Sequence, residues 1–79
     1  MTRDEIAHNV RQTLAEMFEL DAEGLTMEVR VVEDLDLDSI DAIDMAVRLE
    51  ERTGLHFEDD DLKSLQTIRD IVDKIDGRI

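Results

Sequence analysis

One serine, Ser39, stands between Asp38 and Ile40, where an acidic run gives way to a helical pattern of apolar residues. A helix N-terminus presents free N–H groups and the positive end of its dipole, and both stabilise an anion. A hydroxyl at that position is well placed to carry a phosphate ester. The neighbouring acids suggest a second chemistry, because Asp34, Asp36 and Asp38 alternate like the first three ligands of a calcium loop. Such a loop needs glycine at its sixth position and a bidentate glutamate at its twelfth, where this chain has Ser39 and Met45. A third chemistry, Ser39 as a nucleophile, requires a base within hydrogen-bond reach and usually an oxyanion hole. The two histidines, His8 and His56, lie in no motif that would orient them toward Ser39. With 79 residues there is also little chain to build a concave site. Neither a metal site nor intrinsic catalysis is expected.

Composition narrows the setting. A chain of 79 residues has room for one core, so residues 1–79 are expected to form a single domain. It has no cysteine, which removes disulfides, thiol redox chemistry and thiolate metal sites. Its net charge of −13, with only nine Lys and Arg, excludes the phosphate neutralisation that nucleic-acid binding needs. No apolar run is long enough for a secretion signal or a membrane span, which predicts a cytoplasmic chain. Few aromatic residues, no proline and only three glycines favour helices over sheet.

The elements that must position Ser39 follow from spacing. Thr2 and Glu5 form a capping box, and Ile6, Val10, Leu14 and Met17 recur at helical intervals, predicting a first helix over 3–18. From Leu20 to Leu37 the periodicity lapses, leaving a long loop anchored by Leu25, Val29, Val32 and Leu35. A second helix is predicted over 39–53, with Asp38 as N-cap, Asp41 in its first turn and Gly54 as its stop. The acids 58–61, followed by Leu62, predict one short helical turn. Thr67 and Asp70 then open a last helix whose apolar face is Ile68, Ile71, Val72 and Ile75. The fold class is all-α: a small four-helix bundle, three main helices and one short one, with a long loop between the first two.

At 100° per residue, Ala42, Met45, Ala46 and Leu49 make the core face of the second helix. Ile40, Ile43 and Val47 fall well away from that face, beside Asp44 and Glu51, with Asp41 further along the rim. An apolar strip edged by acids suits transient docking to a basic partner. Between Glu33 and Asp61 there are 12 acids and two bases, so −10 of the total −13 is concentrated around Ser39 and the helix it opens.

The chain resembles acyl carrier proteins over nearly its whole length. Asp38-Ser39-Ile40 matches that family's Asp-Ser-Leu site, followed by Asp41, Leu49-Glu50-Glu51, Gly54-Leu55-His56-Phe57 and an acidic turn. The resemblance implies a non-catalytic carrier in which Ser39 receives 4′-phosphopantetheine from coenzyme A, through a phosphopantetheinyl transferase. The terminal thiol would hold acyl intermediates of fatty acid, polyketide or aryl-polyene-type biosynthesis, and the sulfur missing from the sequence would arrive with it. It also implies a recognition surface of Asp38, Ile40, Asp41, Asp44, Val47, Glu50 and Glu51, with Asp59 and Asp60 from the short element. Its partners would be ketosynthases, acyltransferases or ligases with basic docking patches, and the carrier itself a monomer.

Two positions depart from the family pattern. Asp36 stands three residues before the serine, where many members have glycine, and Arg48 lies in the recognition helix. Both would suit a specialised carrier. The alternative of another class is an unmodified acidic helical module that binds a basic protein.

Overall fold

In a computed structural model that describes residues 2–78, the regular elements are helices, joined by loops and one isolated β-bridge between Arg30 and Thr67. The elements are α1 (Arg3–Phe18), a 3₁₀ turn (Ala22–Gly24), α2 (Ser39–Thr53), α3 (Asp59–Ser64) and α4 (Ile68–Asp76). The expected bundle of three main helices and one short one is what forms. No helix among the described residues is long and apolar enough to cross a membrane.

The caps behave as their residue types dictate. Thr2 with Glu5, Asp38 with Asp41, and Thr67 with Asp70 each form a reciprocal capping box. Gly54 ends α2 at φ 74°, in the left-handed region that glycine enters without steric penalty. The core is the set of faces the spacing predicts: Ile6, Val10 and Leu14 from α1, Met45, Ala46 and Leu49 from α2, and Ile68, Ile71, Val72 and Ile75 from α4. Phe57, Leu65, Leu25 and Val31 close its edges.

The long loop is held by backbone as well as by side chains. Ile68 N donates to Val29 O at 3.0 Å, and Arg69 N to Met27 O at 2.9 Å. With Asp70 N on Thr67 Oγ1, the first free donors of α4 are therefore satisfied, two of them by a loop more than 30 residues earlier in the chain. Val31 N donates in turn to Gln66 O at 2.9 Å. This extended pairing corrects one expected anchor: Val31 is 1% exposed and in the core, whereas Val32 is 43% exposed. The pairing with 66–68 fixes Val31 against the core, and the turn that begins there leaves Val32 at the surface.

Past Val32 the chain turns back toward α2. Leu37 N donates to Val32 O at 3.1 Å, and within that turn Asp36 adopts φ 55°. Aspartate suits this place because it is among the few side-chain-bearing residues that tolerate left-handed backbone. Asp36→Val should cost about 1–2 kcal/mol, whereas Asp36→Gly should be neutral or stabilising by up to about 1 kcal/mol. Urea unfolding of the two variants checks this ordering.

Candidate functional site

Ser39 is the first residue of α2 and is exposed. Asp38 Oδ1 accepts from Asp41 N at 2.9 Å, and Asp41 Oδ2 accepts from Asp38 N at 3.3 Å. Capping is thus performed by these two aspartates, and the Ser39 hydroxyl has no hydrogen-bond partner among the described residues. The backbone N–H groups of Ser39 and Ile40 likewise lie at the open end of the helix without acceptors among the described residues. The hydroxyl therefore sits beside free donors and the positive dipole end. One side of it opens on a groove of about 520 Å³ between α2 and α3, lined by Val32, Ser39, Ala42, Ile43, Leu62 and Lys63.

No acid–base machinery serves this hydroxyl. His56 bridges Glu50 and Glu58, at 3.0 and 3.2 Å, beyond the far end of α2, about 22 Å along the helix axis from Ser39. His8 is exposed on α1, beside Arg11, Gln12, Ala22 and Glu23. Of the alternating aspartates, Asp34 accepts from Arg30 N at 2.8 Å and Asp38 caps α2, so their carboxylates turn to separate backbone donors.

The exposed face of α2 has the composition expected of it. Ile40, Ile43 and Val47 are 68%, 52% and 47% exposed, with Asp44 and Glu51 also at the surface. Arg48 interrupts these acids and lies 4.0 Å from Glu51. Not every predicted docking residue is equally free. The Glu50 carboxylate faces the chain itself, accepting from Phe57 N at 2.7 Å, and Asp38 and Asp41 hold the helix start. Charge reversal at Asp41 would therefore disturb the cap as well as the surface. Asp60 is exposed on α3, and the side chain of Asp59 lies outside the described residues.

A cluster invisible to local sequence patterns fixes α3 over the groove. Asp61 accepts from Glu58 N at 2.9 Å and pairs with Arg78 at 2.6 Å and Lys74 at 3.3 Å. Arg78 also donates to His56 O at 2.6 Å and lies 5.8 Å from the centre of the Phe57 ring. The Glu58 N–H, followed by the two cations, lowers the Asp61 carboxyl from its ordinary value near 3.8 to about 2. A carboxyl with a depressed folded-state pKa contributes stability that is complete above about 4 and is lost as pH falls through about 2. Asp61→Asn should flatten the acid-unfolding curve across that window. Arg78→Ala should move the Asp61 titration upward, and carboxyl NMR would follow it.

Comparisons with known proteins agree with this geometry. The family model described as "Phosphopantetheine attachment site" matches residues 8–75. Acyl carrier protein 2 of Ralstonia nicotianae is 40% identical over 72 residues, covering 91% of this chain and 89% of that protein. The acyl carrier protein of Coprothermobacter proteolyticus is 34% identical over 79 residues, covering 100% and 96%. A solved structure of acyl carrier protein from Enterococcus faecalis superimposes with a TM-score of 0.85 at 28% identity, covering both chains completely. The chain belongs to the acyl carrier protein family, a carrier with a 4′-phosphopantetheine prosthetic group and not a catalyst.

Proposed function

We propose that Ser39 is the attachment residue and that residues 1–79 act as one monomeric, cytoplasmic carrier domain for acyl intermediates of fatty-acid-type biosynthesis. The observation that carries this is the exposed Ser39 hydroxyl, unengaged at a helix start already capped by Asp38 and Asp41. In the loading reaction Ser39 Oγ forms a new P–O bond, its proton goes to a base on the transferase, and the adenosine diphosphate portion of coenzyme A departs. The residues present fit the product. The free N–H groups of Ser39 and Ile40 would be available to an added phosphate, and the apolar groove beside them would offer cover to an acyl chain. Once bound, the group supplies a flexible arm whose thiol holds acyl groups as thioesters. Tethering raises the local concentration of cargo at whichever enzyme docks the domain. Incubation with coenzyme A and a promiscuous phosphopantetheinyl transferase should add one phosphopantetheine to the intact mass, and an unchanged mass would reject this role.

Docking belongs to the strip of Ile40, Ile43 and Val47 with its acidic edge of Asp44 and Glu51, extended by Asp59 and Asp60 of α3. Basic patches on partner enzymes complement this field over long range. Asp38, Asp41 and Glu50 add charge while also holding the local structure. The double reversal Asp44→Lys, Glu51→Lys should slow loading on the order of tenfold at low salt. The difference should shrink as salt shortens the screening length, and loading rates equal to wild type at low salt would contradict the surface.

A further inference from the structure

The structure supplies carboxylate partners for most of its cations. Arg3 pairs with Asp73 and Asp76, Arg30 with Glu33 and Asp34, Arg52 with Glu16, Arg69 with Glu28, and Lys74 and Arg78 with Asp61. Arg48 keeps the looser contact with Glu51. Two cations have no carboxylate partner among the described residues, Arg11 and Lys63. Arg11 lies half-buried on α1. Lys63 is exposed on the acidic α3 and, among the described residues, is the only charged one lining the groove that also contains Ser39.

We infer that Lys63 binds an anionic oxygen of the group tethered at Ser39 and so lays the tether along the groove between α2 and α3. This rests on Ser39 being the attachment residue. The ester formed there places a negative phosphodiester in a segment that already carries −10 between residues 33 and 61. The helix N-terminus offsets part of that charge, and Lys63 is the cation of the same groove that can offset more. The rest of the lining is Val32, Ala42, Ile43 and Leu62, which gives the tether an apolar bed once its charge is met. Lys63 is thus a positioning residue. Solvent exposure limits the contact to roughly a two- to fivefold bias toward the groove, the range of a surface ion pair.

The same ammonium would serve a carboxylate at the distal end of a cargo, so the test separates the two sources of anion. Wild type, Lys63→Gln and Lys63→Arg would be loaded to the free-thiol form, and separately with pentanoyl and glutaryl groups. Phosphorus NMR and amide shifts of Ala42 and Leu62 would be recorded from low to high salt. If the phosphodiester is the ligand, the phosphorus signal of the free-thiol form is salt-dependent in wild type, displaced in Lys63→Gln and restored in Lys63→Arg. If a cargo carboxylate is the ligand, phosphorus is indifferent, and glutaryl moves the groove amides only in the proteins that keep a cation. Loaded proteins with the same signals in wild type and Lys63→Gln for every cargo would overturn the inference alone. A mass that does not change on loading would overturn the attachment residue as well. Matching melting curves of the unloaded forms separate these effects from misfolding.

Discussion

Ser39→Ala is expected to abolish loading completely while leaving the melting temperature within about 4 °C of wild type. The two halves of this result have separate physical causes. Loading requires an oxygen to form the bond to phosphorus, and alanine has none. Stability does not require that oxygen, because the α2 start is capped reciprocally by Asp38 and Asp41 and the serine hydroxyl has no partner among the described residues. Alanine is also the better helix former, by about 0.5 kcal/mol at most, which in a domain of this size moves the midpoint upward by only a few degrees. Intact mass and thermal circular dichroism on the same sample measure both. A large fall in melting temperature would mean that Ser39 has a structural duty the geometry does not show.

Ile71→Ala should have the opposite profile, a severe loss of stability with the loading chemistry intact in whatever fraction stays folded. Ile71 is fully buried on α4, among the α1 and α2 faces. Removing three carbons from such a site costs about 2–5 kcal/mol through lost transfer energy and the cavity left behind. A 79-residue domain has a total stability of roughly 4–12 kcal/mol. The substitution therefore takes a large share of it, and the midpoint should fall by about 10–30 °C. Ile40→Ala, at a 68% exposed position of α2, should stay within about 0.5 kcal/mol of wild type. Added salt should raise the melting temperature of all three proteins, because it screens the acids crowded between residues 33 and 61. Equal losses for Ile71→Ala and Ile40→Ala would mean that the core is misassigned.

Local rules carried much of this structure. The first two main helices run where apolar spacing and capping residues place them, because those signals act over three or four residues and no distant contact overrides them. The exposed strip of Ile40, Ile43 and Val47 was visible on the helical wheel for the same reason. Long-range pairing was not visible. Whether Val31 or Val32 enters the core depends on hydrogen bonds to residues 66–68, and nothing near the valines encodes that register. The cluster of Asp61, Lys74, Arg78, His56 and Phe57 joins elements up to 22 residues apart, and so appears only once α4 is docked. The left-handed backbone at Asp36 lies between these cases. Its tolerance by aspartate is a local rule, but the turn that demands it comes from the way the loop returns to α2.

The groove shows the same division. Ser39, Ala42 and Ile43 share one side of α2 by helical spacing, whereas Val32, Leu62 and Lys63 reach them only through tertiary packing. Lys63 did leave a trace in the sequence, as the single cation within the acidic stretch from Glu58 to Ser64.

Locating the added mass within the chain tests the central claim most directly. Trypsin cleaves after Arg30 and Arg48, releasing a peptide of residues 31–48 in which Ser39 is the only hydroxyl-bearing side chain. After incubation with coenzyme A and transferase, that peptide should carry one phosphopantetheine and every other peptide none. An unmodified 31–48 peptide, or the added mass on a peptide containing Ser64 or a threonine, would contradict the assignment of Ser39 as the attachment residue.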